Sequence, residues 1–386
     1  MTHEGYMAEA LKLAKRGTGF VNPNPLVGAV IVKDGTIIGR GWHKKYGDLH
    51  AERNAFADCD ARGIDCRGAD MYVTLEPCCH HGKQPPCTDA IIEHGIKRVF
   101  VGSGDPNILV AGKGITILRE HGIEVVEGVL REECDSINDI FFYWITEKRP
   151  FVTAKYAMTL DGKTACYTGE SKWITGEEAR LDVQYERFRH SAIMVGIGTV
   201  LADDPMLTCR IEGGRNPVRV ICDSNLMIPF DSKIVQTAKE IPTIIATTDY
   251  GKRKFRDQVE KRWKLRELGC EIFSTHSDSE RRGVNTGFLL RHLADRDIDS
   301  VLLEGGGELA YSMFSAGYVK RVKAYIAPKI FGGRTAKTPV SGIGIRHPED
   351  ACMIDSPKIS TIGNDIVIEG KVKYRKRKPD GTYIYI

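Results

Sequence analysis

The chain has 386 residues, 42% of them apolar, and a net charge of +4 from 55 basic and 51 acidic side chains. That length exceeds what one hydrophobic core organises, so two domains are expected and large-scale disorder is not. The near-balanced charge, with no basic run interleaved with aromatics, argues against a nucleic-acid partner, and no stretch approaches the roughly 18 consecutive apolar residues of a membrane span.

The first segment, MTHEGYMAEALKLAKRG, puts Tyr6, Met7, Ala10, Leu11 and Ala14 on one helical face and has no apolar core long enough for an export signal. VGAVIVKDGTIIGRGW then reads as two strands joined at Lys33-Asp34-Gly35, a hairpin signal. His50 opens a helical pattern ending at Gly63, and DMYVTLEP is a buried strand running into Cys78. A helix opened by Pro86 and Cys87 and closed by Gly95, a strand from Lys97 to Gly102, a helix ending near Gly122 and a strand from Ile123 to Val126 complete a layered α/β domain.

A polar turn at Glu147-Lys148-Arg149-Pro150 marks the domain boundary, giving residues 1–147 and 148–386. Beyond it Phe151 to Met158 starts a fresh strand, and Thr175-Gly176-Glu177-Glu178 has capping-box spacing before a helix running to about His190. AIMVG, VRVICD, PTIIAT and SVLLEGG follow as strands of one sheet; STHSDSERRGVNTG reads as a polar loop and KYRKRKPDGTYIYI as a solvated or edge strand.

Eleven cysteines in a chain without an export signal point to a reduced, cytoplasmic setting. Only Cys78, Cys79 and Cys87 cluster. Catalytic zinc needs a few N or S ligands, one position left for water, and a carboxylate that can move protons. His50-Ala51-Glu52 at a helix start, with Cys78 and Cys87 at predicted helix N-termini, supplies those parts. Base deaminases space their two cysteines as C-x-x-C, whereas here eight residues, CHHGKQPP, intervene. Cys79, His80 and His81 are therefore rival ligands, and on spacing alone a site using Cys78 with His80 stays open.

PNPLVGAVIVKDG, HAE, YVTLEPCCHHGKQPPC and GDPN, in this order, resemble the deaminase half of the RibD family of bifunctional riboflavin-biosynthesis proteins. The resemblance implies a cytidine-deaminase-like α/β/α fold, zinc on His50, Cys78 and Cys87, Glu52 as proton shuttle, and substrate contacts from Asn24, His43, His80 and Lys83. Water activated by zinc would attack the amine-bearing ring carbon while Glu52 carries the proton to departing ammonia. In the family the substrate is 2,5-diamino-6-(ribosylamino)-4(3H)-pyrimidinone 5'-phosphate, a phosphorylated small molecule.

Glu304-Gly305-Gly306-Gly307-Glu308 lies between an apolar strand and a helix, and serves equally as a phosphate cradle or a tight connection. KYAMTLDGK, SKWITG, GTVLADDPMLTCR and LLEGGGEL resemble in order the reductase half of the same family, which implies a dihydrofolate-reductase-like α/β domain using NADPH. Ala157, Trp173, Thr175, Thr199, Ser224 and Gly305 to Gly307 then fall at cofactor positions. Ser171, Arg187, Asp203, Leu207, Arg210 and Glu304 fall at positions binding the ribose phosphate. Arg187 and Arg210 suit phosphate geometry, and Lys155 would protonate the sugar oxygen as hydride reaches C1; taken without the family, Lys155 is a strand-edge charge and Glu304 a carboxylate satisfied by backbone N–H groups.

Two rivals remain at this level. A tRNA deaminase would share HAE and the cysteines but has no need of the second domain. A structural zinc staple would recruit Cys79, His80 or His81 as a fourth ligand. Whether the chain forms a homo-oligomer is left open.

Overall fold

Thr2 starts the first element: its hydroxyl accepts the Gly5 N–H (3.2 Å), and α1 (His3–Ala14) follows, burying Tyr6, Met7, Ala10, Leu11 and Ala14 as their spacing requires. In this computed structural model residues 1–248, 252–275, 283–377 and 383–385 are described, without the side chains of 252–258, 377 and 383. The structure divides into two units, Met1–Lys148 and Arg149–Ile386.

The first unit is built on β1 (Gly28–Lys33), β2 (Thr36–Trp42), β3 (Asp70–Leu75), β4 (Arg98–Ser103) and β5 (Glu124–Glu127), in the order β2-β1-β3-β4-β5. The β1–β2 hairpin turns at Asp34 and Gly35, both at positive φ, and β3, β4 and β5 run parallel. Apolar side chains of both strand faces are buried, so helices cover both. Val30, Val32, Tyr72 and Phe100 pack with α1 and with Cys134 of a later helix. Ala29, Ile31, Met71, Val73 and Val99 pack on the opposite face with α2 (Ala51–Asp60), α3 (Cys87–Glu93) and α4 (Lys113–Glu120). Gly41 of β2 lets α2 lie directly on the sheet, since a Cβ there would meet Ala51 O at 2.1 Å. Two further helices, α5 (Arg131–Ile137) and α6 (Asp139–Glu147), were not apparent in the sequence pattern; Phe141 and Trp144 of α6 are buried.

The second unit contains a nine-stranded sheet. Its strands are β6 (Phe151–Thr159), β7 (Ala192–Gly196), β8 (Val218–Cys222), β9 (Thr243–Thr248), β10 (Glu271–Thr275), β11 (Ser300–Leu303), β12 (Val319–Ala327), β13 (Met353–Ile362) and β14 (Asp365–Lys373), ordered β10-β9-β8-β7-β11-β6-β12-β14-β13. All pairs are parallel except those made by the terminal hairpin β13–β14. One face packs on α11 (Thr286–Ala294) and α12 (Gly307–Ser315), the other on α8 (Ile197–Asp203), α9 (Lys233–Gln236) and Leu265 of α10 (Lys252–Glu267), while α7 (Glu177–Arg189) covers Tyr325 and Val367. A short pair, β15 (Arg375–Arg377) and β16 (Tyr383–Tyr385), ends the chain.

The expected capping box at Thr175 does not form. Gly176 is the N-cap of α7, and its N–H donates to Asp365 Oδ2 (2.7 Å), a partner 189 residues away. The expected polar loop begins later than its sequence, because Ser274 and Thr275 belong to β10; residues 276–282 lie outside the described residues, as do 378–382 and 386 of the basic tail.

Candidate active sites

Chain direction assembles the first site. The close seat of α2 on β2 delivers His50, the N-cap of α2, and Glu52 in its first turn to the end of β3. Cys87 is the first residue of α3. Cys78, expected at a helix N-terminus, instead lies in the loop after β3, and its carbonyl accepts the N–H groups of Cys87 (3.0 Å) and Thr88 (3.2 Å). That backbone cap, not a dipole, brings the two sulfurs together across the eight-residue insert. Arg53 of α2 holds the insert by donating to Pro86 O (2.8 Å) and Pro85 O (3.3 Å), and Gln84 donates to Gly47 O (3.0 Å).

The sulfurs of Cys78 and Cys87 each lie 3.5 Å from His50 Nδ1, and the three ligand atoms all fall within 4.8 Å of one another. Tetrahedral zinc with its usual N and S bond lengths spaces such atoms by about 3.6 Å, so the donor set fits that ion. Of the rival ligands, Cys79 directs its sulfur to Leu109 O (3.7 Å), and His80 faces the cavity with a buried Nδ1 that has no hydrogen-bond partner among the described residues.

The hydrogen bond from Cys87, and then His50, hold the Cys78 pKa down, while the neighbouring sulfur pushes Cys87 up. Burial, followed by the charge on Cys78, pushes Glu52 up to about 7. A carboxyl poised there can take and give a proton near neutral pH.

His50, Glu52 and Cys78 line a cavity of about 330 Å³ whose wall also carries Asn24, His43, His80 and Lys83. His43 is buried, desolvation lowers its pKa, and Asn24 Nδ2 donates to its Nε2 (3.1 Å). A larger surface hollow of about 650 Å³ contains none of the anticipated side chains; it is ringed by Lys12, Arg16, Arg40, Lys44 and Arg62, and the chemistry belongs to the smaller cavity.

Glu76 and Asp105 stand in the motifs YVTLEPCC and GDPN, but no role of their own was legible there. Glu76 is buried and accepts the N–H groups of Asp105 (3.4 Å), Gly112 (3.0 Å), Gly114 (3.1 Å) and Ile115 (3.4 Å), fixing the loop that presents Asp105 to the cavity. Desolvation raises Asp105 to about 6.

In the second unit β11 pairs Leu303 with Ala154 of β6, so the next residues, Glu304 and Lys155, emerge side by side. Lys155 Nζ stands 3.8 Å from Glu304 Oε2, and Arg187 of α7 grips Glu304 with Nε and Nη2, each at 2.9 Å. Lys155 is thus largely shielded from water on a central strand, not an edge charge, and Glu304 is satisfied by a guanidinium, not by backbone N–H groups. Desolvation lowers the Lys155 pKa against the pull of Glu304; burial opposes ionisation of Glu304, but Arg187 and Lys155 hold it down to about 2.

The parallel strands place the other candidates at one sheet edge, the carboxyl ends where α/β folds bind ligands. Thr199 of α8 follows β7, Ser224 follows β8, and Gly305 to Gly307 follow β11. A Cβ on Gly305 would come within 3.0 Å of Thr199 Oγ1, and one on Gly307 within 2.7 Å of Ser341 Oγ, so the turn leaves room only for backbone. Ser224 is occupied structurally: its hydroxyl accepts Val284 N–H (3.2 Å). Asp203 accepts from Ser171 (3.5 Å), and Lys329 ties down the carbonyls of Trp173 (2.9 Å) and Ile174 (2.7 Å), ahead of Thr175. Leu207 is buried at φ 53, Ala157 lies on β6, and Arg210 is exposed, holding Gln184 only through its backbone N–H (3.1 Å).

Comparison with known proteins gives two family matches: the cytidine and deoxycytidylate deaminase zinc-binding region over residues 1–103, and the RibD C-terminal domain over 150–368. Riboflavin biosynthesis protein RibD of Actinobacillus pleuropneumoniae is 52% identical over 369 residues, covering 96% of this chain and 95% of that one. The RibD of Bacillus amyloliquefaciens is 43% identical, with 99% of each covered. Among solved structures, a diaminohydroxyphosphoribosylaminopyrimidine deaminase/5-amino-6-(5-phosphoribosylamino)uracil reductase from Thermotoga maritima superposes with TM-score 0.80 at 40% identity, covering 96% of this chain and 98% of that one.

Proposed function

The chain belongs to the RibD family, the deaminase–reductases of riboflavin biosynthesis with zinc and NADPH as cofactors, and from that premise we propose that His50, Cys78 and Cys87 hold the zinc and that Glu52 is the proton carrier. One observation carries this reading: three ligand atoms within 4.8 Å of one another, beside a buried carboxyl on a cavity wall.

The substrate we assign is the one in the Thermotoga maritima relative's name, the diaminopyrimidine ribosyl phosphate, deaminated to 5-amino-6-(5-phosphoribosylamino)uracil and then reduced at its ribosyl group. Asn24, His43, His80 and Lys83 orient the ring. Zinc, when bound, supplies the Lewis acidity that makes water a nucleophile near neutral pH. Glu52, with its pKa near 7, takes the proton from the attacking water and delivers it to the leaving amine. Residues 1–147 form the deaminase domain and 148–386 the reductase domain in this reading.

For the reductase, NADPH supplies hydride when bound along the edge formed by Ala157, Trp173, Thr175, Thr199, Ser224 and the 305–307 turn. Lys155 delivers a proton to the sugar oxygen, opening ribose to ribityl, and Glu304 keeps Lys155 charged and in place. Ser171, Arg187, Asp203, Leu207 and Arg210 complete the ribose-phosphate pocket. No helix among the described residues is long and apolar enough to cross a membrane, and eleven free cysteines suit the reducing cytoplasm where we place the enzyme.

Incubating the protein with the diaminopyrimidine nucleotide, with and without NADPH, tests both halves at once. Ammonia is expected in either case and loss of NADPH absorbance only when the cofactor is present; ammonia without NADPH oxidation contradicts the reductase assignment.

A further inference from the structure

The loop between β2 and α2 carries His43 into the deaminase cavity, and one side chain of α2 shapes it. Asn54 directs its Nδ2 to the carbonyls of Trp42 (2.8 Å) and Leu49 (2.9 Å), one on each side of the loop. Carbonyl oxygens only accept, so both amide hydrogens of Asn54 are committed there. The Leu49 carbonyl has a second lone pair, and it faces His43 Nδ1 at 3.1 Å. That nitrogen must therefore carry the hydrogen, and because the Asn24 amide nitrogen, a donor, stands against Nε2, Nε2 is the bare acceptor. Asn24 Nδ2 lies 3.1 Å from Nε2 and donates to it. The orientation of the Asn24 amide follows, with Oδ1 left as the acceptor of a residue that lines the cavity.

We propose that Asn54 is a positioning residue of the deaminase which, through the Leu49 carbonyl and the His43 tautomer, fixes Asn24 as a hydrogen-bond acceptor, so that the pyrimidine group recognised there is an N–H donor. The inference rests on the deaminase reading of this cavity. Asn54 and His43 both donate to the Leu49 carbonyl, so the link through it is positional: without Asn54 that carbonyl is free to turn away from Nδ1, either nitrogen of His43 can carry the proton, and a ring with hydrogen on Nε2 turns Asn24 over. The cavity would then present an NH2 where the substrate also presents a donor.

The test uses Asn54→Asp, nearly isosteric but without a donor, together with Asn54→Ala and Asn54→His. In histidine the ring Nδ1 sits at the same bond distance from the backbone as the amide Nδ2, so one donor is restored. Expected for Asp and Ala is a KM for the diaminopyrimidine nucleotide raised about tenfold, the size of one lost hydrogen bond, with kcat within about threefold, zinc content unchanged and NADPH-dependent reduction of the aminouracil unchanged. The His variant should recover part of KM. Nitrogen-15 spectra of labelled protein should show His43 as the Nδ1–H tautomer in wild type and a mixture in Asn54→Asp.

An unchanged KM in both variants overturns the proposal. So does a loss of kcat together with zinc, which marks a merely structural role, and so does an Nε2–H tautomer in wild type. If wild type releases no ammonia, the deaminase reading fails, and the tautomer spectrum still decides this inference by itself.

Discussion

Arg187 holds Glu304 through two parallel N–H···O bonds of 2.9 Å, and both side chains are almost wholly withdrawn from water. A buried pair of this kind is a poor source of net stability, but breaking it by removing one partner leaves an uncompensated charge and costs about 3–5 kcal/mol. Glu304→Gln should therefore lower Tm markedly and abolish NADPH oxidation. Replacing both residues with methionine should restore much of Tm while activity stays lost, and calorimetry of the three proteins checks it.

Glu52 lies within hydrogen-bonding reach of Cys87 without belonging to the trio His50, Cys78 and Cys87 proposed to hold the metal. Glu52→Gln should keep zinc and reduce ammonia release by roughly 10²–10⁴, the usual worth of a positioned acid–base group. A variant that keeps both zinc and turnover removes Glu52 from the mechanism.

His190 should make the second unit sensitive to acid. It is fully buried, with Nδ1–H donated to Glu186 O (2.7 Å) and Nε2 facing Thr153 Oγ1 (2.8 Å), and desolvation, against the pull of Glu186, lowers its pKa to about 4. The unfolded chain protonates this ring near 6.5, so between 6.5 and 4 the unfolded state binds one more proton than the folded one. Stability present above that window is lost as pH falls through it, by about 1.4 kcal/mol for each pH unit. Urea midpoints at pH 7, 6 and 5 should fall accordingly, and His190→Gln should flatten the slope.

Gly306 sits at φ 87, in the left-handed region, with Gly196 N 3.4 Å from where a Cβ would project. Gly306→Ala should cost about 1–2 kcal/mol from the backbone alone. If the 305–307 turn cradles the cofactor, KM for NADPH should rise while ammonia release is unaffected. Steady-state kinetics of the two activities in one preparation separates these effects.

The first site was legible because its parts obey local rules. A histidine at a helix start, a glutamate two residues on and a cysteine opening the next helix each leave a mark in the sequence. Cys78 was legible as a residue but not in its placement, since what joins it to Cys87 is a backbone carbonyl capping α3. The role of Glu76 left no mark, because its four backbone N–H partners, in the loop after β4 and the first turn of α4, lie 29 to 39 residues later and have no periodicity. The second unit hid more. β12 buries Arg321 and Lys323, which a pattern reading takes as solvent-facing; Asp182 and Glu186 of α7 neutralise Lys323 at 2.7 and 2.9 Å. Pairing across so much chain also replaced the expected capping box at Thr175 with the Gly176–Asp365 bond.

One imidazole and two thiolates are proposed to hold a catalytic zinc, and the Cys87→Ser variant decides whether they do. Zinc content and ammonia release should be measured together on wild type and variant. The account predicts about one zinc per wild-type chain, with metal and ammonia production lost together in the variant while NADPH-dependent reduction of the aminouracil continues. Ammonia release at the wild-type rate from Cys87→Ser would contradict it.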